Sequence, residues 1–220
     1  MKRAVLFDMD GVICHTNPFH AKAFDAFFEK RGMAPSTEDY AAHMYGKSNS
    51  YIFSHFLGRK IQGDELLKLE AEKEGLFREI YANHVNPISG YLNFLEELKA
   101  HNFETAVATS APRANMDLII DHLNIRTHMG SMMGSEDVVE HKPAPEVYLN
   151  SANNLKVPIS QCIVFEDSYS GVTAALNANM KVVGVLSSHT KKELPPCDLY
   201  IENYTQITAK DLLEQLSITI

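Results

Sequence analysis

At 220 residues the chain is long enough for one large domain, or for one domain carrying a smaller insert. Its net charge of −8, with no basic stripe, argues against nucleic acid as a partner. No apolar run is long enough to span a bilayer, and the run after Met1-Lys2-Arg3 is broken by Asp8, which is too early for a signal peptide. A monomer with no membrane partner is expected, with a cytoplasmic location by default. Cys14, Cys162 and Cys197 lack metal-like spacing, and Cys162 reads as a buried thiol.

Ala4-Val5-Leu6-Phe7 reads as a buried strand of a parallel sheet, apolar on both faces, that stops at Asp8-Met9-Asp10-Gly11. Two carboxylates suit the end of a buried strand when something offsets their repulsion and desolvation, and a hard cation such as Mg2+ does so. Gly11 permits a sharp turn that lets backbone N–H groups face an anion. A calcium loop is excluded, because Val12 and Ile13 stand where that loop needs an oxygen ligand and a glycine.

Asn17 and Pro18 open a helix with Phe19, Ala23, Phe24, Phe27 and Phe28 at helical spacing, stopped at Gly32. Ser36-Thr37-Glu38-Asp39 starts a second helix. A polar loop, Tyr45 to Ser50, leads into a third that closes at Gly58. Asp64 is expected to cap a long helix running through Tyr81 toward Asn86-Pro87. After Pro87 the pattern alternates. A helix over Tyr91 to Ala100 precedes a strand, Glu104 to Ala108, that stops at Thr109-Ser110. A helix from Pro112, a weaker strand over Met129 to Met133, the loop around Lys142-Pro143 and a helix to Leu155 follow. Strand Cys162 to Phe165 stops at Glu166-Asp167-Ser168. A helix around Val172 and Ala175, strands over Lys181 to Leu186 and Leu199 to Ile201, and a helix capped by Thr208 complete the chain.

This alternation predicts an α/β fold: a doubly wound, mostly parallel sheet with helices on both faces, built from residues 1–15 and 88–220. Residues 16–87 read as an inserted all-helical domain whose two junctions lie close together and act as a hinge.

Parallel sheets bind ligands outside the carboxyl ends of their strands. Asp8 and Asp10, Thr109 and Ser110, and Glu166 and Asp167 all stand at such ends. Lys142 sits before a proline in a loop leading to a helix, which keeps it extended. Four carboxylates, two hydroxyls and one ammonium suit a metal and a phosphoryl group. In that chemistry Asp8 attacks phosphorus, and Asp10 protonates the leaving oxygen and then activates water. Asp167, with Glu166, completes the Mg2+ shell begun by Asp8 and Asp10. Thr109, Lys142 and backbone N–H groups around Gly11 hold the phosphoryl oxygens. Ser110 reads as a backbone donor at the site edge, since no histidine is placed to activate it.

In this order and spacing the chain resembles the haloacid dehalogenase (HAD) superfamily. Asp8-Met9-Asp10-Gly11 resembles its first motif, Thr109 its second, Lys142 its third and Glu166-Asp167 its fourth, on a Rossmann-like core. The insert resembles the family's helical cap, which closes over the core, excludes water and chooses the substrate. Asp10 argues against a dehalogenase, which does without a second aspartate and a metal. The resemblance implies a phosphoric monoester hydrolase that uses Mg2+ and an aspartyl-phosphate on a small phosphate ester such as a sugar phosphate.

The nearer resemblance is to the beta-phosphoglucomutase-like branch. It is carried by Thr16 and His20, by Gly46-Lys47-Ser48, by Lys142-Pro143-Ala144-Pro145 and by Glu166-Asp167-Ser168. A true mutase holds the second phosphate of its sugar with a cap arginine shortly after the glycine. Here Asn49 stands in that place, which favours hydrolysis over a sugar phosphomutase. Lys47 and Lys73 are the candidates to replace the arginine, although Lys73 also reads as one more charge on a solvated helix. His20 either assists Asp10 or packs at the cap junction. A third reading, a non-catalytic phosphate sensor or partner-binding protein, would not need a second aspartate beside the first.

Overall fold

In the computed structural model, which describes residues 2–44 and 48–217, strand β1 (Arg3–Phe7) lies at the centre of a six-stranded sheet. The other strands are β2 (Phe103–Ala108), β3 (Met129–Met133), β4 (Cys162–Glu166), β5 (Lys181–Val185) and β6 (Leu199–Ile201), in the spatial order β3-β2-β1-β4-β5-β6 with every pair parallel. The chain steps outward in one direction from β1 to β3 and in the other from β4 to β6. The switch point therefore falls beside β1, where a doubly wound sheet opens its ligand crevice. Register aligns the strand ends: Phe7 pairs with Val107 on one side and Phe165 on the other, so Asp8, Ala108 and Glu166 emerge in one layer.

Both faces of β1 are buried because both are apolar. Ala4 and Leu6 join a core with Ala106, Val164, Tyr148 and Ala152, under helices α7 (Glu146–Leu155) and α8 (Tyr169–Asn177). On the other face Phe7 packs with Tyr91 at 5.3 Å between ring centroids, Phe165 at 5.2 Å and Tyr204 at 6.2 Å. Tyr91 opens helix α5 (Tyr91–Ala100), which packs with α9 (Ala209–Ser217); α6 (Arg113–His122) follows β2. Cys162 is buried in β4.

Contacts divide the chain into two compact units, Met1–Thr16 with Val85–Ile220, and Asn17–His84. Within the first, the two crossings of the chain are tied together: Cys14 bridges Pro87, and Ile88 N donates to Ile13 O at 2.8 Å. The regular elements among the second unit's described residues are all helices: α1 (Asn17–Glu29), α2 (Thr37–His43), α3 (Asn49–Phe56) and α4 (Gly63–Tyr81). Its core is aromatic, with Phe27 5.3 Å from Phe28 and 5.0 Å from Phe53. Ser36 and Asp39 form the reciprocal cap that starts α2.

Two local readings change. Asp64 does not cap α4; that helix begins at Gly63 after Gln62, and Asp64 lies in its first turn, where a carboxylate favours the helix dipole. Asn49 is not in a loop but is the first residue of α3, which Ser48 caps by accepting from Tyr51 N at 3.3 Å. Among the described residues no helix is long and apolar enough to cross a membrane.

Candidate active site

Lys142 is the centre of the strand-end cluster. Its ammonium donates to Asp8 Oδ1 at 2.6 Å, Glu166 Oε1 at 2.8 Å and the Ala108 carbonyl at 3.0 Å. One loop residue thus ties together the ends of β1, β2 and β4. Burial opposes its charge, but Asp8 and Glu166 hold the Lys142 pKa well above the usual lysine value.

The carboxylates differ in how they are satisfied. Glu166 is 1% exposed, and both of its oxygens are engaged. Oε1 accepts from Lys142 and from the Tyr148 hydroxyl at 2.9 Å. Oε2 accepts from Asp167 N at 2.9 Å, Ser168 N at 2.9 Å and Ser168 Oγ at 3.0 Å. Burial raises its pKa, but Lys142 and these donors more than offset that and keep Glu166 below the usual range. Through these bonds Glu166 anchors Lys142.

Asp8 and Asp167 are the opposite case. Burial, against the pull of Lys142 and with help from Glu166 and Asp10, holds the Asp8 carboxyl up at about 7. Burial first, then Glu166 and Asp8, holds Asp167 well above its ordinary value. Asp10 thus raises both groups and Asp8 raises Asp167, so the three carboxyls repel one another. A hard divalent cation would relieve such repulsion, and among the described residues no three His, Cys, Asp or Glu side chains are already arranged as a metal site.

Gly11 departs from its expected role. Its N–H donates to Cys14 O at 2.8 Å, and Val12 and Ile13 donate to Met9 O at 3.2 and 2.8 Å, so these groups close the turn and do not face an anion. Gly11 is required for another reason. It adopts φ +75, and a Cβ there would overlap the Asp167 carboxylate and crowd Ser188.

Thr109 is buried and its Oγ1 accepts from Ala111 N at 3.1 Å, which leaves its own proton to donate. Ser110 is exposed at the edge. Thr16 is fully buried.

In the helical unit, Lys73 overturns the solvated reading. It is 3% exposed, donates to His20 Nδ1 at 2.8 Å and Glu74 Oε1 at 2.8 Å, and stands 4.7 Å over the Phe24 ring. His20 stacks on Phe77 at 3.9 Å. Gly46 and Lys47 lie outside the described residues. Arg59 is exposed and paired with Glu65.

Sequence reasoning missed Tyr148, Gly171 and the segment after β5. There Ser188 donates to Asp167 Oδ2, Ser187 Oγ lies 3.4 Å from the same oxygen, and His189 Nδ1 donates to the Asp167 carbonyl at 2.8 Å. The signal was present: Ser187-Ser188 follows an apolar run that stops at polar groups, as the other strand ends do. Gly171 lets α8 pass against Glu166, whose carboxylate a Cβ there would overlap. Gly171→Ala is expected to cost about 3 kcal/mol by urea unfolding, since the buried carboxylate cannot yield without losing its donors.

Over 190 residues the chain is 33% identical to the phosphorylated carbohydrates phosphatase of Thermotoga maritima, covering 84% of this chain and 86% of that protein. It is 30% identical over 219 residues to Protein Suppressor of quenching 1, chloroplastic, of Arabidopsis thaliana; that match takes in 96% of this chain but spans only 20% of the relative's length. A solved HAD hydrolase, family IA, variant 3, from Entamoeba histolytica superposes with a TM-score of 0.91 at 29% identity, over 99% of this chain and 100% of that one. Residues 5–185 match the family described as haloacid dehalogenase-like hydrolase. With its motif residues gathered at the switch point of a parallel sheet, the chain belongs to the haloacid dehalogenase-like hydrolase family.

Proposed function

We propose that the protein is a Mg2+-dependent phosphatase of small phosphate monoesters, sugar phosphates above all, working through an aspartyl-phosphate on Asp8. The observation that carries the reading is the Lys142 ammonium held between Asp8 and Glu166. It places a fixed positive charge beside a carboxylate that must approach an anion. The identity to a carbohydrate phosphatase supports the substrate class.

Asp8, Asp10 and Asp167 would hold the cation, which when bound neutralises their charge and that of the phosphoryl oxygens. Asp8 forms a bond to phosphorus as the ester P–O bond breaks, and Asp10 gives its proton to the leaving oxygen. Asp10 then takes a proton from water, whose oxygen bonds to phosphorus as the Asp8–phosphorus bond breaks. The Thr109 hydroxyl holds a phosphoryl oxygen, and the Lys142 charge beside Asp8 offsets that of the phosphoryl group, through both steps. The helical unit, inserted in the chain between β1 and α5, serves as the substrate-choosing cap, with His20, Asn49, Lys73 and the segment containing Gly46 and Lys47 as its candidate determinants, and Thr16, the residue before it in the chain, as a further one.

The test is a rate assay on a panel of phosphate esters with Mg2+ and with a chelator, run beside beta-glucose 1-phosphate with a trace of its 1,6-bisphosphate. Phosphate release that needs Mg2+, with no glucose 6-phosphate formed, is expected. Bisphosphate-dependent isomerisation with little phosphate released would identify a mutase instead. Neither activity in Mg2+-binding protein would point to the sensor.

A further inference from the structure

The three N–H donors of Lys142 are all engaged, on Asp8, Glu166 and the Ala108 carbonyl. Two carboxylates therefore share one buried cation. How the ammonium divides between them depends on how well each is otherwise satisfied. Glu166 Oε2 carries three donors of its own, whereas Oε1 has Lys142 and the Tyr148 hydroxyl, 2.9 Å away. Without that hydroxyl, Oε1 would rely on Lys142 and draw the ammonium away from Asp8. Tyr148 also acts on the cation directly, since Lys142 Nζ stands 4.8 Å over its ring.

Tyr148 lies in the first turn of α7 and is fully buried. Core filling requires only the ring; the hydroxyl adds a desolvation cost that its bond to Glu166 offsets. Burial, with Glu166 beside it, holds its pKa well above the usual tyrosine range, so it remains a donor.

We propose that Tyr148 is a positioning residue for catalysis: by donating to Glu166 Oε1 and seating the ammonium over its ring, it keeps Lys142 shared with Asp8. The inference rests on the reading of Asp8 as the nucleophile.

Two variants separate the contributions. Tyr148→Phe keeps the ring and removes the hydroxyl, while Tyr148→Leu removes both. The measurements are kcat and KM on an ester that the wild type hydrolyses, the melting temperature, and the 15N resonance of the Lys142 ammonium. In Tyr148→Phe, kcat falls about tenfold, KM and melting temperature hold, and the Lys142 resonance moves; Tyr148→Leu loses more. A Lys142 resonance unmoved in Tyr148→Phe overturns the proposal whatever the rate, as does a kcat within about twofold of wild type. A wild type that releases phosphate from no ester overturns the phosphatase reading instead, and the resonance then decides alone where Tyr148 holds the ammonium.

Discussion

Asp8→Asn abolishes turnover while the protein stays folded. The substitution keeps the size of the side chain and removes the oxygen nucleophile. Enzymes that lose a nucleophile fall by factors on the order of 10^5 or to background. Stability moves the other way, or not at all. Asp8 is a buried carboxylate whose ionisation is opposed by burial, Glu166 and Asp10, so removing its charge relieves repulsion. Lys142 keeps Glu166 and the Ala108 carbonyl as partners. The expected result is an inactive variant that melts at or above the wild-type temperature. Near-normal turnover would remove Asp8 from the chemistry, and a large drop in melting temperature would mean that its part is structural.

Lys142→Ala carries the second large effect and loses both activity and stability. It leaves Asp8 and Glu166 buried without their shared cation. Removing one partner from a buried ion pair costs about 3–5 kcal/mol, and turnover should fall about 10^3-fold. The destabilisation depends on pH, and its sign follows from the carboxylates. Asp8 already stands at about 7, raised chiefly by burial, and Lys142 is the influence that keeps it from rising further. Without it the native carboxyls bind protons more tightly than the unfolded chain does. Stability relative to wild type then falls as pH rises. Urea unfolding at about pH 5 and about pH 8 should show the larger loss at the higher pH. A loss that is equal at both, or larger at the lower pH, would contradict the assignment of Lys142 as the cation for this pair.

Strand ends were the most legible part of the molecule, because a buried apolar run that stops at carboxylates or hydroxyls has few purposes. Asp8, Thr109, Glu166 and Asp167 were found in that way, and the alternation of helix and strand gave the doubly wound sheet. What could not be read were roles decided by partners distant in sequence. Lys73 lies on a helix that looks solvated, but its ammonium donates to His20, 53 residues away, within a ring-lined core. Nothing in the sequence signals that Glu166 is held by Tyr148, Lys142 and Ser168. Gly11 offers its N–H on paper, but that group closes a turn with Cys14. In each case the residue type was informative, and the side chains and backbone around it fixed the role.

The central claim is that Asp8 carries the phosphoryl group between the two half-reactions. It is tested most directly by mixing the wild-type protein with Mg2+ and a hydrolysed ester, quenching in acid within one turnover, and mapping the peptides by mass. One added phosphoryl group is expected on the peptide that contains Asp8, absent in Asp8→Asn. Phosphate release that proceeds at full rate with the phosphoryl group on another residue, or on none, would contradict it.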